Sequence, residues 1–363
     1  KRFLKRYFIF FFFVFFITCV RRINPPIRQS AQILVVEGLI TTDTLPYAVK
    51  LSYTGSFTNA SVAVDSNQNF INDATVIIKD DAGDSTYCNL VSPGMYQSVN
   101  SSFIGTVGSA YTLVIHLSNG KTYISTSEKI NPVPPIDSIT VSYDSTFITD
   151  VRPTQFIISA NTRDPASQTN YYRWTASAYI PRKSWGEPCD PYTDPPCTNP
   201  YMCVCYAECD QYVENTQINV LSDQLTNGNE IIQPVFYSPI YWFGDHYVEV
   251  RQYSLNQDSY IFWQQYIQQT TRTGSILDPL PSSLIGNIHN AADSTDNALG
   301  YFEASAVNSK KIVIEPFFLQ QYYLESVAGQ YIPMGDCHLS IPNSLADDMS
   351  PVGWENAQVI QLH

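Results

Sequence analysis

The sequence predicts a mainly β protein of two β-sandwich domains, the second of which carries an inserted α-helix. Many short segments alternate apolar and polar side chains with the two-residue period of half-buried strands. Tyr alone accounts for 25 of the 363 residues, and aromatic and β-branched side chains favour strands over helices. A Pro-rich stretch at 131–135 has the composition of a stiff linker between domains.

The first domain is predicted for residues 33–131. Asn119 and Gly120 separate its last two alternating segments, and an Asn-Gly pair in this position is a strong hairpin signal. About seven short strands favour an immunoglobulin-, fibronectin- or transthyretin-like sandwich. The predicted strands lie at 33–38, 47–53, 74–79, 86–90, 95–98, 110–117 and 121–125.

The second domain is predicted for residues 136–363. Trp174 is expected in its core because it lies within a strongly apolar, alternating segment. Residues 189–209 are rich in Cys, Pro and Asp and lack periodicity, so they predict a long loop. The predicted strands lie at 136–143, 155–160, 171–179 and 247–253, with a further strand from residue 300.

One helix is predicted, at 257–271. Ser254 or Asn256 offers an N-cap, and Gly274 follows the predicted C-terminus. An aromatic stripe is expected to pack on a sheet, because three large side chains fall at helical spacing: Tyr260, Trp263 and Ile267.

The first 18 residues have the composition of a lipoprotein signal peptide. An apolar run at 8–17 follows a basic head and is short for a membrane span. Thr18 and Cys19 then resemble a bacterial lipobox, in which the Cys thiol is lipidated. We therefore predict a signal peptide at 1–18, lipidation of Cys19, membrane attachment through this lipid and a polar tether at 19–32. A secreted soluble protein and a retained anchor are the alternatives.

The formal net charge is −13. A surface this acidic argues against nucleic acid as a partner, because nucleic-acid binding needs a basic patch.

Seven cysteines remain once Cys19 is assigned to a lipid. In an exported protein, cysteines that cluster as those at 189–209 do most often form disulfides. Such disulfides hold a loop that has no hydrophobic core of its own. Metal binding by Cys203, Cys205 and Cys209 is the alternative, although a paired zinc spacing is missing. Because seven is odd, one thiol is expected to be free or to pair between chains, and Cys88 is the candidate. The disulfide candidates are Cys189, Cys197, Cys203, Cys205, Cys209 and Cys337.

The sequence contains no catalytic signature, and we predict neither catalytic residues nor a cofactor. The five His residues are scattered, and a nucleophile elbow, a zinc-protease helix and a phosphate-binding loop are all missing. The alternative is a lipid-anchored hydrolase that uses Asp245 and His246, with Glu249 nearby, in an aromatic neighbourhood.

No metal site is predicted either, although two weak patterns for hard cations occur. Residues 65–69 begin like a calcium loop, but Phe70 replaces the required Gly. The side chains of Asp293, Asp296 and Asn297 offer oxygen ligands.

Aromatic residues predicted to be exposed are candidates for ligand or partner binding. The alternative is that they fill the interior of the Cys-held loop. They are Trp185, Tyr192, Tyr201, Tyr206, Tyr241 and Trp242.

Several short motifs, in their order and spacing from about residue 33 to 314, resemble a family of Bacteroidota outer-membrane lipoproteins. This family carries only a domain-of-unknown-function label. The motifs are ILVVEG at 33–38, DSI at 137–139, YRW at 172–174, FW at 262–263, DP at 278–279 with Pro281, GNI at 286–288 and GYF at 300–302.

The resemblance implies an outer-membrane lipoprotein that accompanies a TonB-dependent transporter. It implies no catalytic residues. Surface-exported lipoproteins often carry acidic residues after the lipidated Cys, whereas Arg21 and Arg22 are basic. The face of the outer membrane therefore stays open. The expected function is that of a non-catalytic binding component in nutrient uptake or in a surface complex.

Overall fold

The computed structural model describes residues 32–44, 46–55, 69–144, 155–188, 204–214, 218–240, 245–271, 284, 286–315, 345–346 and 354–362. The predicted signal peptide and lipidated Cys19 lie outside this part of the chain. Among the described residues, no helix has both the length and the apolar character needed to span a membrane.

The fold is mainly β, as predicted: the described residues form strands and a single α-helix. The strands before the Pro-rich linker are β1 (Leu34–Thr41), β2 (Ala48–Tyr53), β3 (Thr75–Asp80), β4 (Ser85–Ser92), β5 (Met95–Ser98), β6 (Ala110–His116), β7 (Thr122–Ser125) and β8 (Glu128–Lys129).

The elements after the linker begin with seven strands, continue with the helix and end with six more strands. They are β9 (Ser138–Asp144), β10 (Gln155–Arg163), β11 (Tyr171–Pro188), β12 (Val204–Glu214), β13 (Asn219–Ser222), β14 (Glu230–Pro239), β15 (His246–Leu255), α1 (Gln257–Thr270), β16 (Ile288–Asn290), β17 (Asp293–Asn297), β18 (Leu299–Ser305), β19 (Val307–Glu315), β20 (Leu345–Ala346) and β21 (Gln358–Gln361).

The largest sheet has eleven strands in the order β17-β16-β7-β6-β3-β4-β5-β2-β1-β18, with β8 paired to β6. Its neighbours are antiparallel except β1 and β18, which run parallel with Leu39 opposite Glu303. Strand β18 also lies close to β6, β8 and β16, so the sheet curls until it is nearly closed.

The division into two β-sandwich domains is not confirmed. Strands β16 to β18, which lie after the linker in sequence, complete the sheet that begins with β1. Any first unit must therefore include residues 288–305 as well as the predicted range 33–131.

The core of the large sheet follows the predicted alternation. In β1, Val36 and Ile40 are fully buried, and in β18, Phe302 and Ala304 join the same core. Because successive strand side chains point to opposite faces, the intervening residues of β1 and β18 are directed to the outer face of this sheet.

Two further sheets enclose a second core. One has the order β14-β10-β9, and the other has the order β20-β12-β11-β15-β19-β21, with β13 paired to β11. Trp174 is fully buried there, as predicted, and its Nε1 donates to Gln252 Oε1 at 2.8 Å.

Helix α1 begins at one of the two predicted N-caps. The Asn256 side chain accepts a hydrogen bond from Ser259 N at 2.7 Å, which satisfies a backbone donor left free at the start of a helix. The helix ends at Thr270, one residue before the predicted end, and the predicted stop at Gly274 lies outside the described residues. Phe262, rather than the predicted aromatic stripe, is the most buried aromatic residue of α1 and packs on Tyr301, with ring centroids 4.9 Å apart.

Gly300 permits the close approach of β1 and β18, and Gly286 permits the close approach of its own segment to β18. Gly300 has a φ of +91°, and a Cβ at this position would lie 2.0 Å from the Val36 carbonyl oxygen. A Cβ on Gly286 would lie 1.7 Å from the Gly300 carbonyl oxygen. At position 300 only glycine accommodates both the backbone conformation and the contact, and at position 286 only glycine leaves room for the Gly300 carbonyl. The motifs at 286–288 and 300–302 that carry the family resemblance therefore have a structural basis.

Candidate ligand-binding groove

A groove of about 490 Å³ lies between helix α1 and the outer face of β1, β2, β5 and β18. We call it the α1 groove. Its volume falls in the range of ligand pockets, and such pockets are mostly apolar with a few polar groups. The residues that characterise it are Leu39, Lys50, Met95, Arg173, Trp263 and Tyr266.

The sheet wall of the α1 groove follows from strand alternation. Val35 and Leu39 line the groove, whereas their neighbours Val36 and Ile40 are in the core. Glu37 and Lys50 are opposite each other on β1 and β2 and also line the groove. The sheet therefore contributes an apolar surface that carries one pair of oppositely charged residues, Glu37 and Lys50.

The helix wall is aromatic. Phe262, Trp263 and Tyr266 occupy adjacent positions on α1 and line the groove. Trp263 packs edge-on against Tyr266, with ring centroids 5.7 Å apart. Aromatic side chains provide a large contact area at a low conformational cost, so this wall suits a flat or apolar ligand.

A buried ion pair lines the α1 groove. Arg173 on β11 and Glu303 on β18 are 8% and 3% exposed. The Glu303 carboxylate accepts hydrogen bonds from Arg173 Nη2 at 2.6 Å, from Trp263 Nε1 at 2.7 Å and from Ser305 Oγ at 2.8 Å. One carboxylate thus joins the large sheet, the helix and strand β11 of the second sheet system.

The Arg173 guanidinium lies against two aromatic rings. Its Cζ is 4.4 Å from the centroid of Tyr253 and 5.2 Å from that of Trp263, which are cation–π distances. Burial by itself lowers the pKa of Arg173, but the Glu303 carboxylate and Tyr253 outweigh this effect and raise it. Arg173 is therefore a permanent cation in an apolar wall.

A second cavity, of about 310 Å³, adjoins Phe262 and Tyr301, which line both cavities. The Tyr301 hydroxyl donates to Glu128 Oε1 at 3.1 Å, and Asn287 Nδ2 donates to the same oxygen at 2.8 Å. Burial, and then the charge of Glu128, raise the pKa of Tyr301. Tyr301 is consequently a neutral hydrogen-bond donor that holds its ring in place between the cavities.

His246, the central residue of the hydrolase alternative, is not accessible to solvent. His246 and Ser238 are fully buried, with His246 Nδ1 2.8 Å from Ser238 Oγ. The imidazole packs edge-on against Phe156, with centroids 5.0 Å apart, and its Nε2 is buried without a hydrogen-bond partner. Burial lowers the pKa of His246 to about 3, so the ring is a neutral core residue. Burial also raises the pKa of the neighbouring Asp245.

Two of the three oxygen-bearing side chains of the weak cation pattern at 293–297, Asp293 and Asp296, accept hydrogen bonds from protein donors. Asp296 accepts hydrogen bonds from Lys121 Nζ at 2.8 Å and from Tyr123 and Asn290, each at 3.0 Å. Asp293 accepts from the hydroxyl and backbone nitrogen of Thr295. Among the described residues, no group of three or more His, Cys, Asp or Glu side chains is arranged for a metal. Most of the calcium-like segment at 65–69 lies outside that part of the chain.

Most of the other predicted site residues lie outside the described structure. This holds for Tyr192, Tyr201, Tyr241 and Trp242, for four of the disulfide candidates (Cys189, Cys197, Cys203 and Cys337), and for the side chains of Trp185, Tyr206, Cys205 and Cys209. Those predictions stay predictions. The backbone of Cys205 and Cys209 belongs to β12, so the end of the predicted loop at 189–209 is a strand. Cys88, the predicted unpaired thiol, is a buried free cysteine, and burial raises its pKa to about 12.

The α1 groove itself was not predicted from the sequence. Two signals were available: Arg173 is the only charged residue of the predicted strand 171–179, and Glu303 is the only charged residue of β18. A charge buried in this way usually has a partner. However, 129 intervening positions separate the two residues in sequence, and nothing local indicates that they meet.

The fold and the groove define a β-rich protein with a candidate ligand-binding site between its only described α-helix and the largest sheet of the described residues. The chain belongs to the family described as domain of unknown function DUF4249, whose model matches residues 20–311. No curated protein matches the chain. A solved structure of trypsin-activated alpha-2-macroglobulin from Escherichia coli is similar over 62% of this chain and 15% of that chain, with 10% identity and a TM-score of 0.19. A likeness this low carries no functional argument.

Proposed function

We propose that this protein is a non-catalytic, lipid-anchored binding component of the outer membrane. In this proposal it serves as an accessory of a TonB-dependent transporter in nutrient uptake or in a surface complex. The observation that carries the binding role is the α1 groove, which combines an aromatic wall with a buried charged pair. A pre-formed, mostly apolar cavity with a few convergent polar groups is typical of a ligand site.

The anchor and the partner rest on the sequence. The basic head, short apolar run and Cys19 support lipid attachment. The transporter as partner, and a Bacteroidota outer membrane as the location, rest on the family resemblance. Disulfides within 189–209 suit a protein exported to an oxidising compartment.

The hydrolase alternative has less support than the binding role. A general base must come within hydrogen-bond reach of the proton that it removes. His246 is enclosed between Ser238 and Phe156 in the second core, so a substrate at the surface does not reach it.

The deciding experiment is co-purification of the tagged, lipidated chain from its native outer membrane in mild detergent. Recovery of a TonB-dependent transporter in near-equal amount is the expected result. A Cys19→Ser variant, which cannot be lipidated, serves as the control and is expected to leave the membrane fraction. Recovery of the wild-type lipoprotein alone would overturn the proposed partnership.

A further inference from the structure

The Arg173 guanidinium has hydrogen-bonding capacity that the described protein leaves unused. A guanidinium carries five N–H donors, and one donor nitrogen, Nη2, is engaged by Glu303. Nε is buried and has no acceptor among the described residues, although a buried donor usually has one. Arg173 is also one of the residues that line the α1 groove. A ligand in the groove can therefore present an acceptor to this side chain.

The charges around the groove decide which kind of acceptor fits. Arg173 and Glu303 already neutralise each other, and Lys50 lies opposite Glu37 on the neighbouring strand. A carboxylate on the ligand would add an uncompensated negative charge beside Glu303 in an apolar environment, where like charges repel strongly. A neutral carbonyl oxygen accepts the same hydrogen bond without this penalty.

We infer that the α1 groove binds a small, uncharged and largely apolar molecule that presents a carbonyl oxygen, of an amide, ester or ketone, to Arg173. This inference rests on the proposed binding function and names its ligand class. The apolar body lies between Trp263 and Tyr266 on one side and Leu39 and Met95 on the other. The volume of about 490 Å³ suits a drug-sized ligand.

A matched pair of probes tests this inference on the purified full chain. The neutral probe is 2-naphthamide and the anionic probe is 2-naphthoate, which share one aromatic ring system and differ in the charge of the carbonyl group. Equilibrium dialysis with protein-free detergent as the blank gives both dissociation constants. We expect 2-naphthamide to bind at least about tenfold more tightly than 2-naphthoate. Moving a charged carboxylate from water into the apolar groove costs free energy that the neutral amide largely avoids. Equal binding or a preference for 2-naphthoate would overturn the inference.

Two variants locate the probe. Tyr266→Ala shortens the aromatic wall and is expected to weaken 2-naphthamide binding about tenfold, because an aromatic contact with the probe is lost. Tyr260→Ala is the control, because Tyr260 lies on the same helix but packs on Tyr171, with centroids 4.8 Å apart. Tyr260→Ala is expected to leave binding unchanged. If both variants bind 2-naphthamide as the wild type does, the probe lies elsewhere and the inference is wrong.

A third variant tests the head group. Arg173→Lys keeps a cation for Glu303 but loses the planar set of N–H donors, and we expect it to weaken the binding of 2-naphthamide. Unchanged 2-naphthamide binding in a folded Arg173→Lys variant would contradict the role of Arg173. The outcome is separable from the proposed partnership: co-purification of a transporter without naphthamide binding removes this ligand class alone, whereas binding without a transporter removes the partnership alone.

Discussion

The buried pair of Arg173 and Glu303 makes the sharpest prediction about stability. Replacing Glu303 by Leu leaves three donors without their acceptor: Arg173 Nη2, Trp263 Nε1 and Ser305 Oγ. Breaking a buried ion pair by removing one partner costs about 3–5 kcal/mol, because the remaining charge is left uncompensated. We expect Glu303→Leu, and likewise Arg173→Met, to lower the free energy of unfolding by about this amount.

The double variant separates charge burial from the loss of contacts. With Arg173→Met and Glu303→Leu together, no charge is left unpaired, and only Trp263 Nε1 and Ser305 Oγ lack a partner. The double variant should therefore be more stable than either single variant, by about 1–3 kcal/mol. Urea unfolding followed by tryptophan fluorescence gives the four free energies, and the cycle gives the coupling between the two side chains.

An exposed ion pair provides the control. Lys121 and Asp296 lie 2.8 Å apart, with side chains 50% and 30% exposed. Because solvent screens exposed pairs, Lys121→Met is expected to leave the urea midpoint nearly unchanged. If the effects of the two single variants at 173 and 303 simply add in the double variant, the pair is not coupled and our account of it is refuted.

Three further predictions concern other positions. The folded pKa of His246 (about 3) lies below its ordinary value of 6.5. Between these values the unfolded chain binds the extra proton, so stability falls as pH falls, by about 2 kcal/mol from pH 6.5 to 5. His246→Phe should flatten this slope in pH-dependent urea unfolding, whereas the exposed His116→Gln should retain it. Gly300→Ala should lower the melting temperature far more than Gly120→Ala. Both glycines have positive φ, but a Cβ at position 120 meets nothing within 4 Å, whereas one at position 300 meets the Val36 carbonyl. Equal shifts in melting temperature would contradict the account of the β1–β18 contact. Iodoacetamide should modify Cys88 only after denaturation, and mass spectrometry showing its modification in the native chain would contradict its burial.

Local pattern was sufficient to predict many elements. The alternation at 47–53 predicted a strand, and β2 spans Ala48–Tyr53 with Val49 and Leu51 in the core. The predicted helix at 257–271 differs from α1 by one residue at its C-terminus. These elements depend on side-chain periodicity and on one capping residue, which lie within a short stretch of sequence.

Long-range pairing was not predictable in the same way. The linker at 131–135 suggested that the strands before and after it belong to separate domains. In the structure β1 pairs with β18, so Val35 lies opposite Leu299. Apolar alternation predicts that a strand exists and which of its faces is buried. It does not predict which other strand will pair with it. The glycines at 286 and 300 were visible as a motif, but their contacts depend on this pairing.

The position of the α1 groove follows from that pairing. In β18, Phe302 and Ala304 fill the core of the large sheet, so the alternation of the strand directs Tyr301 and Glu303 to its outer face. There they meet Phe262 and Trp263 of α1, and Glu303 also reaches Arg173 of β11. A ligand that accepts a hydrogen bond from Arg173 would therefore contact the point at which the large sheet, the helix and the second core are joined. Because the same carboxylate holds all three elements, changes to the ion pair should alter both stability and ligand preference, whereas Tyr266, at the rim, should alter ligand binding alone.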